Sequence, residues 1–179
     1  MVDILAGPGN ILELPGLADM GAKSVRIPAK KPAQMTSIKI RLVKENDSTP
    51  LAGLAGQLGY PSTPEQIACR LANVYKRPDQ TVFVAEADGR IAGWVHVFAC
   101  PTVELDLYAE VGSLVVDQDQ RGQGIGKALM DKAEAWALQC GITEVRLRSN
   151  VIRKEAHQFY EALGYERIKS QFTFRKALQ

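Results

Sequence analysis

The sequence predicts a mixed α/β fold, and three observations support this prediction. From Thr36 onward the hydrophobic periods follow the order strand, helix, helix, hairpin, strand, helix, strand, helix, strand, which is typical of helices packed on a mixed sheet. The chain has 179 residues and 46% hydrophobic content, enough to bury a substantial core. A glycine-rich turn joins a valine-rich strand to an amphipathic helix, as expected of a strand-to-helix unit.

Residues 1–36 do not share this periodicity. They carry four prolines and several glycines, a composition typical of linkers. We therefore expect a flexible or arm-like extension over residues 1–36 and one folded domain over residues 37–179. The alternative is a segment that adds an edge to a neighbouring subunit.

The first elements of the domain have recognisable start signals. The stretch SIKIRLVKE, residues 37–45, predicts a strand, and a first helix is expected to begin near Pro50. A second helix has Thr63 as its N-cap, Pro64 at its first position and Gln66 closing a capping box. This helix should therefore begin at Pro64.

The remaining strands alternate apolar and polar residues. TVFVAEA and RIAGWVHVFA flank Asp88-Gly89, a strong signal for a two-residue hairpin turn. EVGSLVVD, TEVRLRS and YERIKSQFTFRK predict three further strands, the last of them near the C-terminus. Gly112 lies inside EVGSLVVD, where glycine often marks a bulge or a close backbone approach.

The turn before the long helix contains three glycines at alternate positions, Gly122, Gly124 and Gly126. The helix begins at Ile125 and stops at Gly141. Its expected apolar face comprises Ile125, Leu129, Ala133, Trp136, Ala137 and Cys140. Unpaired amides at a helix start, together with the helix dipole, hold anions. An ordinary strand-to-helix turn needs fewer glycines, so the pattern favours an anion-binding loop.

Two common phosphate loops do not fit this spacing. The loop of ATP- and GTP-binding proteins would need a glycine where Arg121 stands and Ser or Thr where Ala128 stands. The dinucleotide fingerprint needs glycines spaced by two and then three positions, whereas these are evenly spaced. The anion is therefore held in another way.

Composition excludes several other classes of function. A net charge of +2 with both signs interspersed argues against nucleic-acid binding, and no apolar run approaches the roughly 20 residues that span a bilayer. Cys69, Cys100 and Cys140 have neither metal-ligand spacing nor an even count. We expect no metal site, reduced thiols and a cytoplasmic location.

The stretch VVDQDQRGQGIGKAL resembles the acetyl-CoA loop of the GNAT superfamily of N-acetyltransferases, with Arg121, Gly124 and Gly126 at its defining positions. EVRLRSNVIRKEAHQFYEALGYE resembles the closing strand and helix of the same family. The resemblance spans roughly residues 37–176 and includes the branch of aminoalkylphosphonate N-acetyltransferase-like proteins. It implies a GNAT-type α/β fold with a mixed, mostly antiparallel central sheet of six to seven strands flanked by about four helices.

The resemblance also implies acetyl-CoA as cosubstrate. The backbone around Leu114 and Val116 would receive the acetyl-pantetheine, and residues 121–127 the pyrophosphate. Many relatives place asparagine where this chain has Arg153, with Asn150 one turn earlier, so Arg153 could reach a phosphate or an anionic acceptor. The expected cofactor-binding residues are Leu114, Val115, Val116, Arg121, Gly122, Gln123, Gly124, Ile125, Gly126, Lys127, Asn150 and Arg153.

Two catalytic residues are expected. Tyr160 occupies the position where the resembling family carries a tyrosine near the CoA sulfur, so it is our candidate acid for the departing thiolate; the alternative is packing beside Phe159. Glu110 is our candidate base, acting through a water, because a carboxylate is unusual within a buried strand. Some family members rely instead on solvent or on an amine that is already neutral.

The predicted function is acetyl transfer from acetyl-CoA to the primary amine of a small molecule, by direct attack in a ternary complex. The alternatives are a protein or peptide amine acetyltransferase and a non-catalytic CoA-binding regulator. A homodimer is possible, because the predicted terminal strand offers an edge. Neither the acceptor amine nor the preferred acyl chain follows from the sequence.

Overall fold

The computed structural model describes residues 37–178, and the extension predicted over residues 1–36 lies outside the described residues. Single 3-10 turns at Glu45–Asp47 and Gln118–Gln120 precede the first and third helices. The strands and helices, in chain order, are β1 Ile38–Leu42, α1 Ser48–Leu58, α2 Pro64–Tyr75, β2 Gln80–Ala87, β3 Arg90–Cys100, β4 Tyr108–Val116, α3 Ile125–Gln139, β5 Val145–Leu147 and α4 Lys154–Ala162.

The strands form one mixed sheet in the order β1-β2-β3-β4-β5. The first three pairings are antiparallel, and β4 pairs with β5 in parallel. The connection between β4 and β5 runs through α3, as parallel neighbours require a crossover. The sequence prediction of a mixed, mostly antiparallel α/β sheet is confirmed.

A separate hydrophobic core lies against each face of the sheet. Alternation along the strands sends Val95 and Val97 to the face covered by α3 and α4, and Trp94 to the face covered by α1 and α2. Ile125, Leu129 and Ala133 of α3 are fully buried in the first core. Cys140, expected on this apolar face, is exposed, because α3 ends at Gln139 and the chain turns away.

Two local predictions are confirmed in atomic detail. The Thr63 hydroxyl accepts a hydrogen bond from the Gln66 N–H at 3.3 Å, and the Gln66 side-chain oxygen accepts one from the Thr63 N–H at 3.0 Å. The β2–β3 hairpin turns at Asp88 and Gly89, both with positive φ, and pairs Ala87 with Arg90. Both signals act within four residues, so they do not depend on distant packing.

The predicted strand YERIKSQFTFRK is wrong, and the described sheet has five strands rather than six to seven. Residues 166–178 follow α4 without regular structure, and Phe172 and Phe174 are 90% and 92% exposed. Alternating apolar residues give a strand its amphipathic faces but do not supply a partner for its backbone. Within the described chain, this segment pairs with no strand.

Candidate active site

The parallel strands β4 and β5, at one end of the sheet, pair over only part of the length of β4. Their pairing covers only Ala109–Val111 against Val145–Leu147. Beyond Val111, β4 continues to Val116 with no partner on this side among the described residues, because β5 ends at Leu147. The second half of β4 therefore has an open edge.

A bulge in β4 begins this open stretch. Val111 pairs with Val97 and Ser113 with His96, so Gly112 has no opposite residue on β3. A methyl group at Gly112 would lie 2.8 Å from the Phe98 ring, a distance that requires Phe98 to move. Gly112 therefore both permits the extra residue and brings the backbone close to an aromatic side chain.

The open edge presents backbone hydrogen-bonding groups of Leu114 and Val116. The Asp117 N–H donates to the Ala92 carbonyl on β3, and the Val115 carbonyl also faces β3, beside Gly93. Because backbone groups alternate in direction along a strand, those of Leu114 and Val116 point to the opposite side. Among residues 37–178 no strand pairs with these groups, and only the Arg121 side chain contacts the Val116 carbonyl, so an extended ligand could add here as a strand.

A second set of free amides lies at the start of α3, after residues 117–120, whose N–H groups are all hydrogen-bonded within the chain. The Ala128 N–H is the first to close a helical bond, to the Gly124 carbonyl at 3.0 Å. Within residues 37–178, no backbone acceptor is paired with the N–H groups of residues 121–127. These amides and the positive end of the α3 dipole form a site for an anion.

The three glycines of this loop have two different structural roles. Gly122 and Gly124 have φ values of 77° and 83°, in the left-handed region that favours glycine. Gly126 is instead required by packing, since a methyl group there would lie 3.1 Å from the Phe159 ring on α4. The sequence analysis attributed all three glycines to ligand approach, and the structure separates them into two loop positions and one packing position.

The charged side chains of the loop are exposed. Arg121 Nε approaches the Val116 carbonyl at 3.4 Å, so its guanidinium lies beside the open edge. Lys127 forms an exposed i,i+4 ion pair with Asp131, and its ammonium is thereby partly neutralised. The Ile125 side chain is buried, so only its backbone is available to a ligand. The Val115 side chain is also buried and its carbonyl faces β3, so Val115 does not present its backbone to the open edge.

A cavity of about 480 Å³ adjoins the bulge on the face of the sheet covered by α1 and α2. Its walls come from α1, α2, β2, β3, β4, β5 and α4 and from the loops next to them. Leu51, Ile67, Leu71 and Trp94 form an apolar wall, and the Trp94 indole N–H donates to the Ser113 hydroxyl at 3.0 Å. A cavity of this size suits a small ligand.

Tyr160 enters the cavity from α4. Its ring is half-buried against Phe159 and Tyr165, and no partner among residues 37–178 is hydrogen-bonded to its hydroxyl. Burial raises the pKa of Tyr160, although the nearby Arg153 charge opposes this. The phenol therefore keeps its proton at neutral pH and faces the cavity as a free donor.

Glu110 lies on β4 at the edge of the cavity but is not part of its wall. The residue is 7% exposed, and its carboxylate accepts a hydrogen bond from Arg148 at 2.9 Å. Arg148 does line the cavity, and the bond to Glu110 raises its pKa. Glu110 is therefore connected to the cavity by its hydrogen bond with Arg148 and does not line the cavity itself.

His96 is a cavity residue that the sequence analysis did not single out. It lies on β3 opposite Ser113, and its Nε2 is 3.2 Å from the Gln80 side-chain oxygen. Burial lowers the pKa of His96, which favours a neutral imidazole. His96 and Gln80 are 16 positions apart and come together only when their strands pair. In the sequence, the only indication of this contact is that His96 lies within a predicted strand.

Asn150 and Arg153 both line the cavity at the start of α4. The Asn150 side-chain oxygen accepts a hydrogen bond from the Ile152 N–H at 3.1 Å, which shapes the turn before the helix. Arg153 reaches across the cavity and donates to the Leu58 carbonyl, at the end of α1, at 2.9 Å. Its guanidinium therefore lies beside the loop between α1 and α2.

The part of the chain that the structure describes contains no cluster of three or more His, Cys, Asp or Glu side chains suited to a metal ion. Across the same residues, no helix combines the length and the apolar character that crossing a bilayer requires.

Comparison with known proteins adds an independent finding. The sequence profile of the acetyltransferase (GNAT) family matches residues 49–165, well over half of the chain. An uncharacterized N-acetyltransferase of Methanocaldococcus jannaschii is 38% identical over 51% of this chain and 41% of its own length. The aminoalkylphosphonate N-acetyltransferase of Salmonella typhimurium is 44% identical over 38% of this chain and 44% of its own length.

The N-acetylaspartate synthetase of Xenopus tropicalis is 30% identical over 52% of this chain and 33% of its own length. The matches therefore span less than half the length of these curated relatives. Among solved structures, an aminoglycoside N-acetyltransferase in complex with CoA superposes with a TM-score of 0.71 at 18% identity, covering 80% of this chain and 97% of that chain. At this identity the likeness concerns the fold alone.

Proposed function

This chain belongs to the acetyltransferase (GNAT) family, and on that premise we propose that it transfers the acetyl group of acetyl-CoA to the primary amine of a small molecule. The attack is direct, within a ternary complex. The observation that carries the proposal is the presence of two sets of unpaired backbone groups, one on the open edge of β4 and one in residues 121–127. They offer partners for an extended amide-containing arm followed by a diphosphate.

The residues that carry these unpaired backbone groups fit acetyl-CoA. The backbones of Leu114 and Val116 would pair with the amides of the pantetheine arm, as an added strand would. The amides of residues 121–127 would hold the pyrophosphate, with Arg121 as a charged partner on the exposed side. The side chain of Lys127 contributes less, because Asp131 already binds its ammonium.

Acetyl-CoA supplies the acyl group as a thioester, and the chain supplies the groups around it. Tyr160 would donate its proton to the departing sulfur, since its free hydroxyl faces the cavity and burial raises its pKa. Free N–H groups at the open edge of β4 would stabilise the negative charge that develops on the carbonyl oxygen. Neither role requires a metal.

Two residues are candidates for removing a proton from the acceptor amine. Glu110, the base indicated by the sequence, would act through a water, because it lies behind Arg148. His96 lies in the wall of the cavity and is favoured in its neutral form by burial. We propose His96 as the second candidate, and the pH dependence of each variant separates the two.

A small-molecule acceptor is supported by the cavity and by the relatives. About 480 Å³ accommodates a compact amine but only the end of a peptide. Two of the relatives are named for small amines that carry an acid, an aminoalkylphosphonate and aspartate. A peptide amine acetyltransferase and a non-catalytic CoA-binding regulator remain the alternatives.

A two-part experiment tests the proposal. Calorimetry with CoA and acetyl-CoA measures binding to the purified chain, and thiol release from acetyl-CoA is then followed across a panel of small amines and amine-terminated peptides. We expect CoA to bind and small amines to release thiol faster than peptides. Binding without release on the whole panel would favour the regulator, and loss of binding would remove the assignment altogether.

We also propose that the chain forms a homodimer through residues 166–178. Ile168, Phe172 and Phe174 alternate with polar residues and are exposed, and the sheet ends at the three-residue edge strand β5. A second copy offers the same apolar strand and the same edge, so the contact can be reciprocal. Light scattering should give the mass of a dimer, and Phe172→Ser combined with Phe174→Ser should give a monomer.

A further inference from the structure

The cavity beside the bulge is positively charged. Arg70, Arg148 and Arg153 line it, together with His96, and no aspartate or glutamate belongs to the wall among the described residues. We propose that the acceptor is a small amine that carries an acid group, a carboxylate or a phosphonate, and that Arg70 and Arg153 bind that group. The inference rests on the proposed acetyl transfer and specifies the substrate class of the same site.

Two of these arginines brace the loop between α1 and α2 from opposite sides. Arg153, at the start of α4, donates to the Leu58 carbonyl at 2.9 Å. Arg70, on α2, donates to the Ser62 hydroxyl at 2.8 Å, and that hydroxyl donates to the Tyr60 carbonyl at 3.0 Å. These contacts hold both guanidinium groups beside the loop between α1 and α2.

Neither guanidinium is neutralised by a carboxylate within residues 37–178. The ion pairs of the described chain include Arg148 with Glu110 but involve neither Arg70 nor Arg153. A guanidinium carries five N–H donors, and each of these two makes a single hydrogen bond with a neutral protein acceptor. The remaining donors match the forked geometry of a carboxylate or phosphonate.

The rest of the wall is largely apolar. Leu51, Ile67, Leu71 and Val74 form one side of the cavity, whereas Arg70 and Arg153 are exposed, so salt should weaken their attraction to an anion. An acceptor with several ammonium groups would meet like charges here and would bind poorly. An acceptor with one amine and one acid would place the acid at the arginines.

The amine and the acid must then lie at opposite ends of the substrate. The open edge lies on β4 and Tyr160 on α4, whereas Arg70 lies on α2. Arg153 connects the two sides, because it lies at the start of α4 and donates to the Leu58 carbonyl at the end of α1. A compact acid with its amine on a short chain satisfies both requirements. The structure thus selects for charge and size rather than for a single compound.

A matched substrate pair tests this inference. β-Alanine and β-alaninamide have the same shape, but only the first carries an acid, and 2-aminoethylphosphonate extends the test to a phosphonate. Thiol release is measured for each at saturating acetyl-CoA. We expect kcat/KM for at least one of the two acids to exceed that of the amide by tenfold or more. Equal values for all three would overturn the inference.

Arg70→Gln adds a test with an internal control. We expect KM for the preferred acid to rise about tenfold while KM for the neutral amide is unchanged, because only the acid loses a charged partner. Arg77→Gln is the matched control, since Arg77 pairs with Asp79 outside the cavity. An equal change for acid and amide in Arg70→Gln would indicate a structural role and contradict the proposal.

Failure of acetyl transfer is distinguishable from failure of this inference. If neutral amines are acetylated as well as acids, acetyl transfer stands and the anion subsite does not. If no amine is acetylated, calorimetry with 2-aminoethylphosphonate tests the subsite directly. Binding that Arg70→Gln abolishes would support the subsite, and absence of binding would overturn it.

Discussion

His96 and Gln80 form a polar pair on neighbouring strands, with the imidazole Nε2 3.2 Å from the amide oxygen. Because an amide oxygen only accepts hydrogen bonds, this contact places a proton on Nε2 and leaves Nδ1 as the acceptor. Nδ1 faces the bulge, where a methyl group at Gly112 would lie 3.4 Å away. The geometry presents a neutral nitrogen toward the place where the acyl group is expected.

The first prediction concerns the pH dependence of kcat. Burial lowers the pKa of His96, so its imidazole stays neutral at pH values below the usual histidine pKa of about 6.5. The acid limb, the fall of kcat on the low-pH side of the profile, should therefore lie below that pH. Gln80→Glu adds a charge that stabilises the imidazolium, and it should move this limb upward by about one pH unit. Gln171→Glu, on the exposed C-terminal segment, is the control and should leave it unmoved.

The same profile separates His96 from Glu110. His96→Asn should lower kcat about 100-fold and remove the limb, as expected for a general base. If the Glu110 carboxylate is the base, Glu110→Gln should instead lower kcat and remove the limb. A limb that neither variant alters would indicate that solvent or an already neutral amine performs this step.

The second prediction concerns Tyr160→Phe. Loss of the proposed acid should lower kcat by about 100-fold or more, while the melting temperature should change little because the ring is retained. Burial raises the pKa of Tyr160, so the wild-type phenol stays protonated and its basic limb should lie above about 10. Tyr165→Phe removes a neighbouring hydroxyl that bonds Glu134, and it should leave kcat unchanged. Unaltered turnover in Tyr160→Phe across pH would assign this residue to packing.

The parts of the fold that were predicted depend on local interactions. The capping box at Thr63 and the turn at Asp88-Gly89 are complete within four residues, and the sequence indicates both. The C-terminal segment shows the limit of this approach. Its alternation is typical of a strand, but strand formation requires a partner edge that periodicity does not identify.

The candidate site divides in the same way. The anion loop could be predicted because its amides belong to consecutive residues, 121–127. The cavity could not, because Arg70, His96 and Arg153 come from α2, β3 and the start of α4 and meet only in the folded chain. The pairing of Glu110 with Arg148 likewise depends on the parallel register of β4 and β5.

The third prediction concerns Gly124→Ala. An alanine at φ 83° costs about 1–2 kcal/mol in backbone strain, which would disturb the loop and weaken CoA binding by about tenfold. Gly141→Ala is the matched control, because Gly141 has φ 75° at the other end of α3 and also has open space around it. Both variants should lose stability, but only Gly124→Ala should lose CoA affinity in calorimetry. Equal affinities would place the diphosphate elsewhere.

The fourth prediction concerns the buried carboxylate of Asp47, which bonds Arg41 at 2.7 and 3.0 Å. Burial alone would raise the pKa of Asp47, but Arg41 and the Lys44 N–H outweigh it, and the net pKa is lowered. The carboxylate therefore stabilises the fold above its unfolded pKa of about 3.9 and loses this effect as the pH falls through the lower folded value. Asp47→Asn should cost about 3 kcal/mol at pH 7 in urea unfolding, and the difference from wild type should shrink below pH 4. Asp79→Asn, which breaks an exposed pair with Arg77, should leave the free energy of unfolding almost unchanged at either pH, because solvent screens an exposed pair.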